Sequence, residues 1–288
     1  MITEDKFNLR PIWDACLEIY KEVAKICDKH GLRYYATDGT ALGAIRHNGY
    51  VPWDDDFDIS MPRPDYEKFK QIAAQELPTH LKFVDFHNTP EFRLLFGKVQ
   101  DTRKEVIDDI EKRLGRSLSN GSYIDIFPID GYPTNPIHKI VIKIIDFLLS
   151  QSRAFRFIPL KRRTLKGRLM SPVGFFVAMF TPWIKSNVDY LKVYERILLK
   201  YSFDNALTGR SCSNMTVLRR APLKQEAWGK PTPHEFHDTQ IMVPEDADAH
   251  LKNEYYKWDY MQLPPEKDRH PTHEYAADVP WKYGPTRD

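Results

Sequence analysis

Cysteine is scarce in this chain: Cys16, Cys27 and Cys212 are the whole supply among 288 residues. Their spacing matches neither a disulfide framework nor a zinc motif, and it points to a reducing compartment. Long apolar runs are also missing. No stretch reaches the roughly 20 apolar residues that a membrane-spanning helix needs. The opening MITEDKFNLR is polar and acidic without an apolar centre, which argues against a secretory signal. Charge of one sign is absent too, since 42 Lys and Arg face 40 Asp and Glu for a net +2. The overall balance therefore selects no partner. There is no internal repeat and no low-complexity tract. What remains, 42% apolar and 28% charged residues, is an ordinary globular composition. It is long enough for one large domain or for one domain with a substantial insertion. A cytoplasmic location is the expectation.

The pattern of elements is mixed. Pro11 starts a helix in which Trp13, Cys16, Leu17, Tyr20, Val23, Ala24 and Cys27 recur at helical spacing until Gly31 stops it. Cys16 and Cys27 lie on its apolar side, where small buried thiols are common. Residues 32–36 predict a strand, Pro64 begins another helix, and 81–86 and 92–100 predict strands. A polar loop over 115–121 leads to a buried strand at 123–127. Further on, 186–202 and 245–256 predict helices, 236–244 a strand, and 203–235 an irregular, turn-rich stretch. This order suits an α+β fold, a small mixed sheet flanked by helices.

Residues 38–63, DGTALGAIRHNGYVPWDDDFDISMPR, carry the strongest chemical signal. Gly39 and Thr40 open a short helix, with Asp38 as the expected N-cap and Asn48-Gly49 as its stop. Asp54, Asp56 and Asp58 then occupy alternating positions ahead of an apolar strand. On an extended backbone Asp56 and Asp58 share one face, with Phe57 and Ile59 on the other. Asp55 points away and is expected to be solvated. Carboxylates crowded on one face repel unless a cation lies between them, and hard oxygen ligands suit Mg²⁺ or Mn²⁺, which in turn suit phosphate. A solvated acidic turn is the competing reading, but it needs neither the Gly-Thr helix start nor the apolar alternate positions. Asp125 is the one charge between Ser122 and Phe127, and an Asp placed so in an apolar strand should reach a polar site. Asp130 ends the same strand as a turn residue. His234, His237, His270 and His273 lack cysteine partners and make no zinc motif.

The Gly-Thr pair followed by an acidic-apolar-acidic strand resembles the signature of the nucleotidyltransferase superfamily. The longer wording through PRPDYEKF is similar to the LicD family of phosphocholine transferases, bacterial relatives of fukutin and fukutin-related protein. FGKVQDTR at 96–103, YIDIFPIDG at 123–131 and YMQLPPEKDRH at 260–270 extend the resemblance. Residues 137–225 add little to it, and Lys104 stands where many relatives have Thr. The resemblance implies a nucleotidyltransferase-like sheet and a metal, Mg²⁺ or Mn²⁺, held by Asp56 and Asp58 with Asp54 beside them. It implies Asp125 as third ligand or base. Gly39 and Thr40 would present donors to a phosphate, and Arg46, His47, Lys98 and Arg103 would bind the donor's pyrophosphate. The implied reaction moves phosphocholine from CDP-choline to a glycan hydroxyl, in a lipopolysaccharide, teichoic acid or capsule precursor, and involves no nucleic acid. Transfer of glycerol or ribitol phosphate from a CDP donor is an alternative. Attack on a nucleoside triphosphate is another, and an idle membrane-surface module is a third.

Residues 138–185 stand apart, with ten Lys or Arg and a single acidic residue, Asp146, among many apolar ones. The expected organisation is a catalytic core over 1–135, a helical basic and apolar segment over 136–202, and a loop-rich C-terminal segment over 203–288 packing on the core. The helical segment could meet an anionic membrane from the inner, cytoplasmic side as a peripheral surface, or could only cap the core.

Overall fold

Gly31 takes a left-handed conformation (φ 61°) that ends helix α1, Arg10–His30, and Pro11 pre-sets φ in its first turn. The predicted stripe of Trp13, Cys16, Leu17, Tyr20, Val23 and Cys27 is buried. The computed structural model describes residues 7–89, 91–103, 107–108, 122–160, 165–204, 207–210, 222–269 and 275–276. The predicted loop at 115–121, Lys104, Cys212, the bases at 161–163, His270 and His273 lie outside the described residues.

After α1 come β1 (Tyr35–Ala36), α2 (Asp38–His47), β2 (Asp58–Pro62), α3 (Arg63–Glu76), β3 (Leu81–Val84) and β4 (Gly97–Asp101). Then β5 (Ile107–Asp108) precedes the long β6 (Tyr123–Gly131). Four helices follow: α4 (Pro136–Phe157), α5 (Leu165–Leu169), α6 (Ser171–Phe180) and α7 (Asn187–Leu198). The C-terminal part holds β7 (Leu207–Arg210), β8 (Leu223–Lys224), α8 (Gln225–Trp228), β9 (Thr232–Phe236), β10 (Thr239–Val243), α9 (Ala247–Glu254) and β11 (Tyr275–Ala276). One mixed sheet runs β1-β2-β6-β4-β3, with β7 on β6 and β8 on β7. Only the β2–β6 pairing within it is parallel. A mixed sheet flanked by helices is the α+β architecture expected.

Strand β6 organises this sheet. β2 covers one edge, while β4 and β7 share the other, because Ile129 pairs with both Pro62 and Arg210. Pro128 sits in mid-strand, where a missing N–H would ordinarily break a ladder. The Asp125 N–H donates to the Phe57 carbonyl on the β2 side (2.9 Å). Alternation then aims position 128 at the opposite edge. There β4 has ended at its pairing with Ile126 and β7 begins at Ile129, so no partner is lost.

Several elements differ from the sequence expectation. The strand expected at 236–244 is the turn at His237, which has φ 50°, and the second strand of a β9–β10 hairpin that begins at Thr232. The stretch 203–235 supplies β7, β8 and α8. Leu207-Thr208-Gly209-Arg210 has no alternating apolar pattern to announce a strand, and its ladder comes from β6. The helical segment shares a core with the sheet, where Val84, Phe92 and Phe127 meet Ile142, Leu149, Tyr190 and Tyr194.

Asp130 is no turn residue. It is fully buried in β6 and accepts from Arg63 Nε (2.7 Å) and Nη2 (2.8 Å), a two-point pair that joins the start of α3 to the end of β6. Asp130→Ala would leave the Arg63 guanidinium buried without its anion, and we expect a loss of about 3–5 kcal/mol. Urea unfolding measures it, and a loss within error of an exposed Asp→Ala control would refute the role.

Candidate functional site

Pairing of three strands places the chemistry. Asp58 at the start of β2 lies opposite Asp125 on β6, and Asp125 lies opposite Lys98 on β4. Directly paired residues project to the same face, so Asp58, Asp125 and Lys98 form one row across the sheet. Lys98 Nζ is 3.1 Å from Asp125 Oδ1 and 3.4 Å from the centre of the Tyr123 ring. The ammonium is thus held by an anion and an aromatic face, with little exposure to water.

The loop before β2 adds the rest of the negative charge. Carboxylate oxygens of Asp54, Asp55 and Asp56 lie within 4.8 Å of one another. Asp55, expected to be solvated, is buried at 1% exposure. The reason is local: β2 begins only at Asp58, so residues 54–57 do not follow strand alternation. Trp13 Nε1 donates to the Asp54 carbonyl (2.7 Å) and so ties this loop to α1.

Helix α2 shapes the cluster in ways the sequence did not announce. Its N-cap is Thr37, while Asp38, expected there, is the first helical residue with φ 49°. A Cβ at Gly39 would fall 1.8 Å from Asp54 Oδ2, so the absent side chain is the space in which that carboxylate lies. The position is at the positive end of a helix dipole, which favours an anion. Thr40, fully buried, accepts the Asp58 N–H with its hydroxyl (2.8 Å), and the Asp58 carbonyl accepts from the Thr37 N–H (3.1 Å). Gly39 therefore leaves room for the Asp54 carboxylate, and Thr40 fixes the backbone of Asp58.

Crowding perturbs these groups. Burial and then the charge of Asp56 push the Asp54 carboxyl well above its ordinary range. Asp58 is raised by burial, then by Asp56, Asp38 and Asp125. Cys16 sits beneath the cluster with its thiol 3.4 Å from the Tyr123 carbonyl, and burial followed by Asp56 and Asp125 raises it. A thiol so protonated is no nucleophile. Tyr255, which follows α9, is raised by burial and then by the charges of Asp38 and Asp54. No local pattern in the sequence marks Tyr255, because it arrives from the far end of the chain.

The expected cations have mixed placements. Arg46 Nη1 donates to the Tyr260 (2.6 Å) and Gln262 (3.2 Å) carbonyls, and its Nε donates to His47 Nε2 (2.9 Å). His47 is lowered to about 4 by burial and by Arg46, so at neutral pH it brings no positive charge. It lines a cleft of about 470 Å³ with Trp13, Asn48 and His237. Arg103 grips Asp101 through Nε and Nη2 and reaches Glu18 at 3.4 Å. Arg63 is taken by Asp130.

Residues 31–172 match the family model described as LicD/FKTN/FKRP, nucleotidyltransferase domain. That match covers 142 of the 288 residues. It is 28% identical over 272 residues to the lipopolysaccharide cholinephosphotransferase LicD of Haemophilus influenzae, covering 93% of this chain and 97% of that protein. It is also 26% identical over 131 residues to the human ribitol 5-phosphate transferase FKRP, 43% of this chain and 22% of that one. The LicD-family match runs from Gly31, just after α1, to the first residues of α6, and so includes Asp54, Asp56, Asp58, Lys98 and Asp125.

The raised carboxyls have a consequence for stability. A carboxyl whose folded pKa exceeds its unfolded value holds more protons folded than unfolded, so its contribution falls as pH rises through and above the ordinary carboxylate range. We expect protein kept in chelator to lose stability from pH 5 toward 8, by up to about 1.4 kcal/mol per pH unit for each such group. Asp58→Asn should flatten the slope. Thermal melts across pH test this, and a wild-type melting temperature rising over that interval would contradict it.

Proposed function

We propose that this chain moves phosphocholine from CDP-choline to a hydroxyl of a cell-surface glycan and releases CMP. The LicD-family match supports reading it as a phosphotransferase. The observation that carries the reading is the row Asp58–Asp125–Lys98 beside the Asp54–Asp56 cluster. It supplies crowded oxygen ligands at one end and an ion-paired carboxylate at the other.

The donor set suits a hard divalent cation, being made of carboxylate oxygens alone and crowded enough to raise Asp54 and Asp58. Asp54, Asp56 and Asp58 would hold Mg²⁺ or Mn²⁺, and the cation, when bound, neutralises charge on the donor's pyrophosphate. Asp125 takes the acceptor. Its carboxylate orients the attacking hydroxyl and accepts its proton as the new P–O bond forms and the bond to CMP breaks. Lys98, 3.1 Å away, holds the Asp125 carboxylate in position for that task. Arg46, whose buried Nη2 has no hydrogen-bond partner, offers a donor for a phosphate oxygen. Gly39 acts by leaving room for Asp54, and Thr40 by fixing the backbone of Asp58. No covalent protein intermediate is required, and positioning with electrostatics supplies the rate.

Transfer of ribitol phosphate is the second reading, and the FKRP match favours it. Purified protein, Mg²⁺ and a glycan acceptor should release CMP from CDP-choline. Release from CDP-ribitol alone would select the second reading. Pyrophosphate from CTP, with no CMP from either donor, would overturn both.

Asp56→Asn or Asp58→Asn should lower turnover at least about a hundredfold at saturating Mg²⁺, with the protein still folded. Near-native turnover in either variant would remove these residues from the site. Asp125→Ala should lower kcat by about 10²–10⁴ with little change in donor KM. Unchanged kcat with a collapsed donor affinity would make Asp125 a binding residue only.

A further inference from the structure

We infer that helices α4 and α6 form a docking face for an anionic lipid bilayer. Fourteen of the nineteen large apolar side chains exposed among the described residues fall between Ile137 and Trp183. Singly exposed apolar residues need no explanation, but a concentration of this kind marks an interaction surface. On α4 the exposed residues Ile137, Ile140, Val141, Ile144 and Phe147 recur at helical spacing. The same stripe continues through Gln151 and Phe155, and there Gly174 of α6 packs. A Cβ on Gly174 would come within 2.5 Å of the Gln151 carbonyl, so the glycine lets α6 lie directly on α4. α6 therefore covers the stripe's second half and replaces it with its own outer residues, Phe175, Phe176, Met179 and Phe180, with Trp183 following.

Charge decides what covers this face. From Tyr132 to Val188 the chain has one acidic residue, Asp146, and it is buried on the opposite side of α4. The exposed charges around the apolar residues are Lys143, Lys166, Arg168 and Lys185. A second protein copy would have to bring that uniformly basic collar against itself, and like charges repel. An anionic headgroup layer matches it, while the aromatic and aliphatic residues enter the boundary with the acyl chains. The surface is peripheral, since no described helix is long and apolar enough to cross a membrane. Docking would hold the site against a lipid-linked acceptor, a benefit that rests on the proposed reaction, whereas the binding itself does not.

The test uses the intact protein without donor or acceptor, sedimented with phosphatidylglycerol-containing or pure phosphatidylcholine vesicles over a salt series. We expect binding to the anionic vesicles only, weakened by salt. Phe176→Ser with Phe180→Ser, or Lys166→Glu with Arg168→Glu, should weaken it about tenfold or more. All four residues are exposed, so CMP release with a soluble acceptor should stay at the wild-type level. Absence from both pellets at low salt would overturn the inference. So would equal binding to both vesicle types, or a dimer that the Phe176→Ser, Phe180→Ser variant dissociates with no vesicle binding by either protein.

Discussion

Mutual repulsion among crowded carboxylates is the constraint around which this molecule is arranged. Asp54, Asp55 and Asp56 share a volume a few ångströms across, and Asp58 adds a fourth charge at the first residue of β2. Left to itself such a cluster would open the loop toward water. It is held closed from three directions: by the Thr40 hydroxyl on the Asp58 N–H, by Trp13 on the Asp54 carbonyl, and by the Asp125 N–H on the Phe57 carbonyl. Each contact comes from a different element, so the fold as a whole imposes the crowding.

The same constraint explains the glycine and threonine at the start of α2. A phosphate-binding turn and a carboxylate-holding turn use the same residue types, because both need close approach and a short donor or acceptor. Here the space above Gly39 is filled by Asp54 and the Thr40 hydroxyl is engaged by Asp58. The roles follow from what touches these residues, which residue type alone does not reveal.

Electrostatics also separates the basic residues into two populations. Arg63 and Arg103 are paired with carboxylates and act as structural clamps, and the Arg63–Asp130 pair is buried on both sides. Lys98 is the basic residue that shares the row with Asp125. Farther away, the bases around α4 to α6 surround apolar rather than acidic residues. Their arrangement speaks to a surface and has no bearing on the reaction at the acidic row.

The helix from Pro11 to Gly31, the acidic run and the solitary charge of Asp125 in its strand were all legible in the sequence. Each depends on local spacing or on a capping residue, and those act over one or two turns of chain. Spacing misjudged Asp55, because alternation holds only where a strand exists and β2 starts three residues later. It also read Asp130 as a turn and 203–235 as irregular, since the partners of both, Arg63 and β6, lie far away in the chain. Tyr255 had no local signal at all. Which residues could carry charge at the site can be read along the chain. Which of them meet depends on long-range pairing, because β2 and β6 pair in parallel across more than sixty residues of chain, and that register puts Asp58 opposite Asp125.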